Sequence, residues 1–251
     1  MSAYGEDLAH IHDAGFSDLA ATAAKRVVEL LADSGIASGL VVDLGCGSGV
    51  TARRLTASGY DVLGIDSSEA MIELARLNAP AARFRVGSIV TEPLPDCRAV
   101  TAIGEVLNYL PETVDRAHGV PGLLGRIHRA LRPGGLLVLD VAGPGRVPGG
   151  GPVRVWTASA DWAVLVETRE DDAPRVLSRH ITTFRRSGTL YRRGEEQHRQ
   201  RLYRSSEVLG LLRAEGFRAR ALRGYGRTPF APGHSVFVAR KPGPRPTGRG
   251  S

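Results

Sequence analysis

The chain has 251 residues, 42% of them apolar and 24% charged, which is enough for one α/β domain with an insertion and a well-buried core. No apolar run approaches the roughly 20 residues of a membrane helix, the acidic start MSAYGEDLAHIHD lacks a secretory leader pattern, and Cys46 and Cys97 alone imply no disulfide framework, so a cytoplasmic protein is expected. The net charge of +7 invites nucleic acid, but nearly all of it is Arg scattered through every segment, which compositional bias explains equally well.

In chain order, residues 1–16 are mixed polar and aromatic. Residues 17–34 predict a helix, with Ser17 as N-cap and Leu19, Ala20, Ala23, Val27, Leu30 and Leu31 at helical spacing. A short apolar strand (40–44) runs into a glycine turn, followed by the helix TARRLTASG and a second strand, YDVLGID. SSEAMIELARLNA predicts a helix capped by Ser67 or Ser68, with Glu69 in its favourable first turn. Short strands follow at 83–86 and 98–103, then a helix over 112–131, weakened in its first half by Gly119, Pro121 and Gly122. The turn LRPGG leads into the apolar strand LLVLDVA. Alternating helices and near-continuous apolar strands indicate a parallel sheet covered on both faces.

GPGRVPGGG (143–151) breaks that pattern. Four segments of alternating polarity then predict antiparallel strands: VRVWTAS, WAVLVETRE, RVLSRHITTFRR and LYRRGEEQHRQRLY. A helix, SEVLGLLRAEG, and two strands, FRARALRGY and HSVFVARK, close the domain. The expected organisation is an N-terminal lid and helix (1–34), a core (35–142), an antiparallel insertion (152–203), the last helix and strands of the core (204–241) and a disordered tail (242–251).

The stretch Val41-Val42-Asp43-Leu44-Gly45-Cys46-Gly47-Ser48-Gly49 carries the chemistry. A strand turning sharply into a helix brings backbone N–H groups close to a ligand only where side chains are missing. Asp66 ends the next strand, where a carboxylate can accept from a ribose diol. Together they describe an adenosine-bearing cofactor. A dinucleotide site would need G-x-G-x-x-G facing pyrophosphate; here the spacing is G-x-G-x-G after Asp43, whose charge suits a cationic amino-acid end and a sulfonium.

VVDLGCGSG, the LGID strand end, FRVGSI, TAIGEVLNYL and LRPGGLLVLD resemble, in order, the motifs of class I S-adenosylmethionine-dependent methyltransferases over about residues 25–141. The resemblance implies a Rossmann-like, doubly wound, mostly parallel seven-stranded sheet with an antiparallel β insertion. It also implies S-adenosylmethionine as cofactor, with Asp43, Gly45, Cys46, Gly47 and Gly49 at its methionine moiety and Asp66 at its ribose. Ser67 and Met71 would lie toward adenine, Ser88 and Ile89 would flank it, and Gly104 and Glu105 would line the opposite wall. Ser88 departs from the Asp usual after the glycine in this family and would accept the adenine amino group more weakly.

In-line methyl transfer is catalysed mainly by positioning, and a base helps only when the acceptor loses a proton. No CxxC, HExxH or carboxylate set implies a metal. Glu105 is a candidate base or cofactor contact, and Asn108 and Tyr109 either orient an acceptor or merely cap the next helix. The Asn/Asp-Pro-Pro-aromatic motif of base-amine methylation is absent. Tyr4, His10 and His12 occupy the segment that closes over cofactor in small-molecule members, where Tyr can contact the methionine end and His accept a proton. In the insertion, Glu196 and His198 share one strand face. Its 11 Arg against 7 Asp and Glu between residues 151 and 204 point either to an anionic acceptor or to a solvated sheet face. The expectation is a small-molecule methyltransferase of biosynthetic or secondary metabolism, monomeric or homodimeric, without nucleic-acid or membrane partners. An RNA or protein methyltransferase, or a non-catalytic binding protein, are the alternatives.

Overall fold

A computed structural model describes residues 4–110, 119–147, 149, 151–173, 175–226 and 232–243. The tail from 244 and the first part of the helix predicted over 112–131 lie outside the described residues.

Seven strands form the main sheet: β1 (Leu40–Leu44), β2 (Asp61–Asp66), β3 (Arg83–Val86), β4 (Cys97–Ala102), β5 (Leu131–Ala142), β10 (Arg218–Leu222) and β11 (His234–Arg240). Their order is β10-β11-β5-β4-β1-β2-β3. The first five run parallel, while β11 is antiparallel to both β5 and β10. The chain leaves β1 toward β2 and β3 on one side and returns to β4 and β5 on the other. The order therefore reverses between β1 and β4, and a crevice opens at their carboxyl ends.

Neighbouring residues of β1 serve opposite faces. Val42 and Leu44 pack with Leu123, Leu124 and Ile127 of α5 (Val120–Ala130) and with Val208 and Leu212 of α6 (Ser205–Ala214). Val41 packs with Val27, Leu30 and Leu31 of α2 (Asp18–Asp33) and Leu55 of α3 (Val50–Ala57). Burying each such side chain stabilises by about 1.5–3 kcal/mol, so a strand apolar on both sides is held only as a central strand. The expected cap at Ser68 forms: its Oγ accepts from Met71 N at 3.2 Å at the start of α4 (Glu69–Asn78). Ser17 does not cap α2. Its backbone is already helical (φ −81°, ψ −12°), so its hydroxyl donates back to Asp13 O at 2.6 Å.

A second, antiparallel sheet holds β6 (Val153–Ala158), β7 (Trp162–Asp171), β8 (Val176–Ser187) and β9 (Leu190–Arg201). Leu8 and Ile11 of α1 (Glu6–Gly15) pack on its Trp162, Val164 and Ile181. Glu6 and Asp7 pair with Arg185 and Arg192 of β8 and β9, and Arg192 is the main reason the Asp7 carboxyl lies below its ordinary value. α1 and the residues leading into it thus bridge the second sheet and the loop after β2, where Ser68 Oγ donates to Tyr4 O at 2.6 Å. Among the described residues no helix is long and apolar enough to cross a membrane.

Candidate functional site

The carboxyl ends of β1 and β2 supply two acids in different states. Asp43 is 2% exposed. Its Oδ1 accepts the Thr101 hydroxyl at 2.6 Å, and its Oδ2 is buried without a hydrogen-bond partner. Burial pushes its pKa up to about 7, against the lowering effect of the Thr101 bond. Asp66 accepts Gly47 N and Ser68 N, each at 2.9 Å. Burial raises its carboxyl too, opposed by amide bonds from Ser68, Gly47 and Ser67.

Gly45, Gly47 and Gly49 all lie in the left-handed region (φ +63°, +52° and +82°), which side chains disfavour. The reason for the missing side chain differs between them. A Cβ on Gly45 would stand 2.5 Å from Val106 Cγ2, whereas one on Gly47 would meet nothing within 4 Å. Gly45 is needed for packing, and Gly47 leaves an open cradle.

A cavity of about 700 Å³ spans this turn, within the size range of small-molecule sites. Of the residues expected at the cofactor, Tyr4, Asp43, Gly45, Cys46, Gly47, Asp66, Ser67, Met71, Ser88, Ile89 and Gly104 line it. His12 and Tyr109 line it as well. Burial lowers the His12 pKa and raises that of Tyr109. Tyr4 rises well above its ordinary range, through burial first and then through Tyr109; both phenols therefore stay protonated at neutral pH.

Four candidates sit outside the cavity lining: Gly49, where a Cβ would stand 3.1 Å from Ala75, Glu105, His10 and Asn108. Glu105 does not line the cavity: its carboxylate takes Arg146 at 3.0 Å, Gln200 at 3.0 Å and Arg179 at 3.5 Å, inside the junction with the second sheet. Its backbone is left-handed (φ +64°), and its amide donates to Asp140 Oδ1 at 2.6 Å. His10 pairs with Asp161 at 3.6 Å, outside the cavity lining. Residues two apart on a helix lie about 200° apart around its axis, so His10 and His12 could not both face inward. Asn108 is not among the residues lining the cavity. It braces the turn, donating to Ala142 O at 2.8 Å and Arg201 O at 2.5 Å and accepting from Ala142 N at 3.0 Å.

The candidates did not include the pair that meets Tyr109. His198 of β9 is 4% exposed, with Nδ1 at 3.4 Å from the Tyr109 hydroxyl and Nε2 at 2.9 Å from Glu196 Oε2. Its ring lies 5.0 Å from that of Tyr4 and 5.7 Å from that of Tyr109, centroid to centroid. The i,i+2 spacing of Glu196 and His198 on one strand face was the available signal; nothing local says that face lies over the glycine turn. Among the described residues no cluster of three or more His, Cys, Asp or Glu is arranged for a metal ion.

A family model described as a methyltransferase domain matches residues 41–135. The chain is 35% identical over 140 residues to the trans-aconitate 2-methyltransferase of Paracidovorax citrulli, covering 51% of each chain. It thus spans about half the length of that relative. Its fold is similar to an S-adenosylmethionine-dependent methyltransferase from Clostridium acetobutylicum, with a TM-score of 0.79 at 17% identity, covering 94% of this chain and 98% of that one. It is also similar to CalS10 of Micromonospora echinaspora, an amino pentose methyltransferase solved with S-adenosylmethionine bound. There the TM-score is 0.74 at 20% identity, with 96% and 99% covered.

Proposed function

We propose that the chain, whose residues 41–135 match a methyltransferase domain, is a class I S-adenosylmethionine-dependent methyltransferase acting on a small-molecule acceptor held beneath the second sheet. The observation that supports this most directly is Asp43 Oδ2, buried and unpartnered on the wall of the cavity beside the open cradle of Gly47. A buried acceptor atom without a partner costs free energy until something donates to it, and the ammonium of a methionine moiety is such a donor.

When bound, the cofactor supplies a methyl group already activated on a sulfonium. The chain's own part is binding and alignment. Asp66 would hold the ribose hydroxyls with the oxygen lone pairs left over from Gly47 and Ser68. Ser67, Met71, Ser88 and Ile89 would shape the adenine side. Arg126 braces that wall by donating to Ile89 O at 2.7 Å and Glu92 O at 3.0 Å, and to Val90 O. Tyr4, His12, Tyr109 and His198 would surround the acceptor and exclude water.

The arginine surplus lends little support to an anionic acceptor. Among the described residues, at least seven of the eleven arginines between residues 151 and 204 pair with carboxylates of the chain itself. Cytoplasmic residence fits two buried, unpaired thiols, Cys46 and Cys97.

Calorimetric titration with S-adenosylmethionine, S-adenosylhomocysteine and NADH tests the reading. Saturable binding of the first two alone is expected; no heat from either adenosyl ligand would sink it.

A further inference from the structure

Two histidines, His12 and His198, are among the described groups on the cavity wall that can take a proton. His198 has partners at both ring nitrogens: Glu196 Oε2 at 2.9 Å from Nε2, and the Tyr109 hydroxyl at 3.4 Å from Nδ1. An ionised carboxylate only accepts, so Nε2 carries the hydrogen of that bond and a neutral ring presents its lone pair at Nδ1. Nδ1 therefore faces Tyr109, on the cavity wall.

Glu196 also holds the N-terminal segment. Its Oε2 accepts Tyr4 N and its Oε1 accepts Gly5 N, each at 2.9 Å. Burial acts to raise this carboxyl, but the bonds from His198, Gly5 and Tyr4 together bring it below its ordinary value, so it is ionised. Tyr4 stands in the left-handed region (φ +67°), a conformation that persists only where surrounding contacts impose it. One carboxylate thus seats the segment entering α1 and sets the tautomer of the histidine. The other ionisable groups turned toward His198 are Tyr4, His12, Tyr109 and, across the strand pair on β8, Arg179.

We infer that His198 takes the proton released by the acceptor, and that Glu196 is a positioning residue preparing it while Tyr4 and Gly5 are seated. The inference rests on the acceptor reading of this cavity and narrows it to an acceptor carrying a proton, a hydroxyl or an ammonium; a carboxylate would need no base. As the acceptor's oxygen or nitrogen bonds to the methyl carbon, the carbon–sulfur bond breaks and its electron pair stays on sulfur. For a hydroxyl the O–H bond breaks as the O–C bond forms, and for an ammonium the N–H bond breaks first to leave the attacking lone pair; either way the proton passes to His198 Nδ1, directly or by exchange through the Tyr109 hydroxyl.

Long-range 1H–15N correlation spectra of the full-length labelled protein, at mildly alkaline pH with and without S-adenosylhomocysteine, test this. His198→Asn assigns the signals. The expected result is a neutral ring protonated at Nε2. In Glu196→Gln, that ring should become a mixture of tautomers and the Gly5 amide should exchange faster. A proton on Nδ1 in the wild-type ring, or a His198 signal that Glu196→Gln leaves in place, overturns the inference. Failure of the wild-type sample to bind S-adenosylhomocysteine would instead remove the cofactor reading beneath it, so the two failures are distinguishable.

Discussion

Thr101 gives its hydroxyl hydrogen to Asp43 Oδ1 at 2.6 Å, while Oδ2 of the same carboxyl lies buried with no partner. The folded chain therefore protects half of this acid and leaves the other half for a ligand. Burial holds its pKa at about 7, against about 3.9 in an unfolded chain. A raised carboxyl pKa means that the native state keeps a proton the unfolded state has lost. Stability from this group is then complete below about pH 4 and falls as pH rises toward 7, by an amount on the order of 4 kcal/mol. Urea midpoints at acid and neutral pH should show this slope in the wild type and lose it in Asp43→Asn. Equal slopes would refute the assignment. A cationic ligand end favours the ionised acid, so S-adenosylmethionine should bind with proton release below pH 7, which titration in buffers of different ionisation enthalpy reads directly.

Asp66 has a double duty, because the oxygen that takes Gly47 N belongs to the carboxylate assigned to ribose. Asp66→Ala should weaken adenosyl-ligand binding by one or two charge-assisted hydrogen bonds, roughly 1.5–3 kcal/mol each. It should also destabilise the ligand-free protein by freeing two amides. Calorimetry and thermal unfolding separate the two effects; undiminished affinity would exclude the ribose contact.

Gly45 and Gly47 should respond differently to the same small change. Alanine at either position costs about 1–2 kcal/mol for a left-handed backbone. At Gly45 the new methyl also meets Val106 at 2.5 Å, but at Gly47 it enters open space. Gly45→Ala is thus expected to lower the unfolding midpoint more, and Gly47→Ala to lose more ligand affinity. Parallel losses in both variants would contradict the cradle.

Glu105→Gln should behave as a stability mutation. It leaves Arg146 and Arg179 without their shared charge partner, at a cost of about 3 kcal/mol for a largely buried pair. Affinity for S-adenosylhomocysteine should change little, because the side chain lies off the cavity wall. His10→Ala, which breaks a half-exposed pair with Asp161, should cost about 1 kcal/mol or less. A collapse of ligand affinity in Glu105→Gln with stability intact would return Glu105 to the site.

The parts legible in the sequence are those whose physics is local. The period of β1, the left-handed demand at Gly45 and Gly47, and the acid at the tip of β2 each follow from a few neighbouring residues. They converge because a strand-turn-helix has one way to face a cofactor. The parallel sheet and the positions of Asp43 and Asp66 rest on these same constraints, whereas the seven-strand count and the places of Ser88 and Ile89 were what the resemblance to class I methyltransferases implied.

What the tertiary structure decided is which distant groups share a space. The turn of α1 separates His10 from His12, Glu105 pairs with Arg146 and Arg179 rather than lining the crevice, and β9 lays His198, held by Glu196, against Tyr109, 89 positions away in the chain. A strand's own alternation says that two side chains share a face. Only the docking of one sheet on another says what that face meets, and no spacing along the chain encodes it.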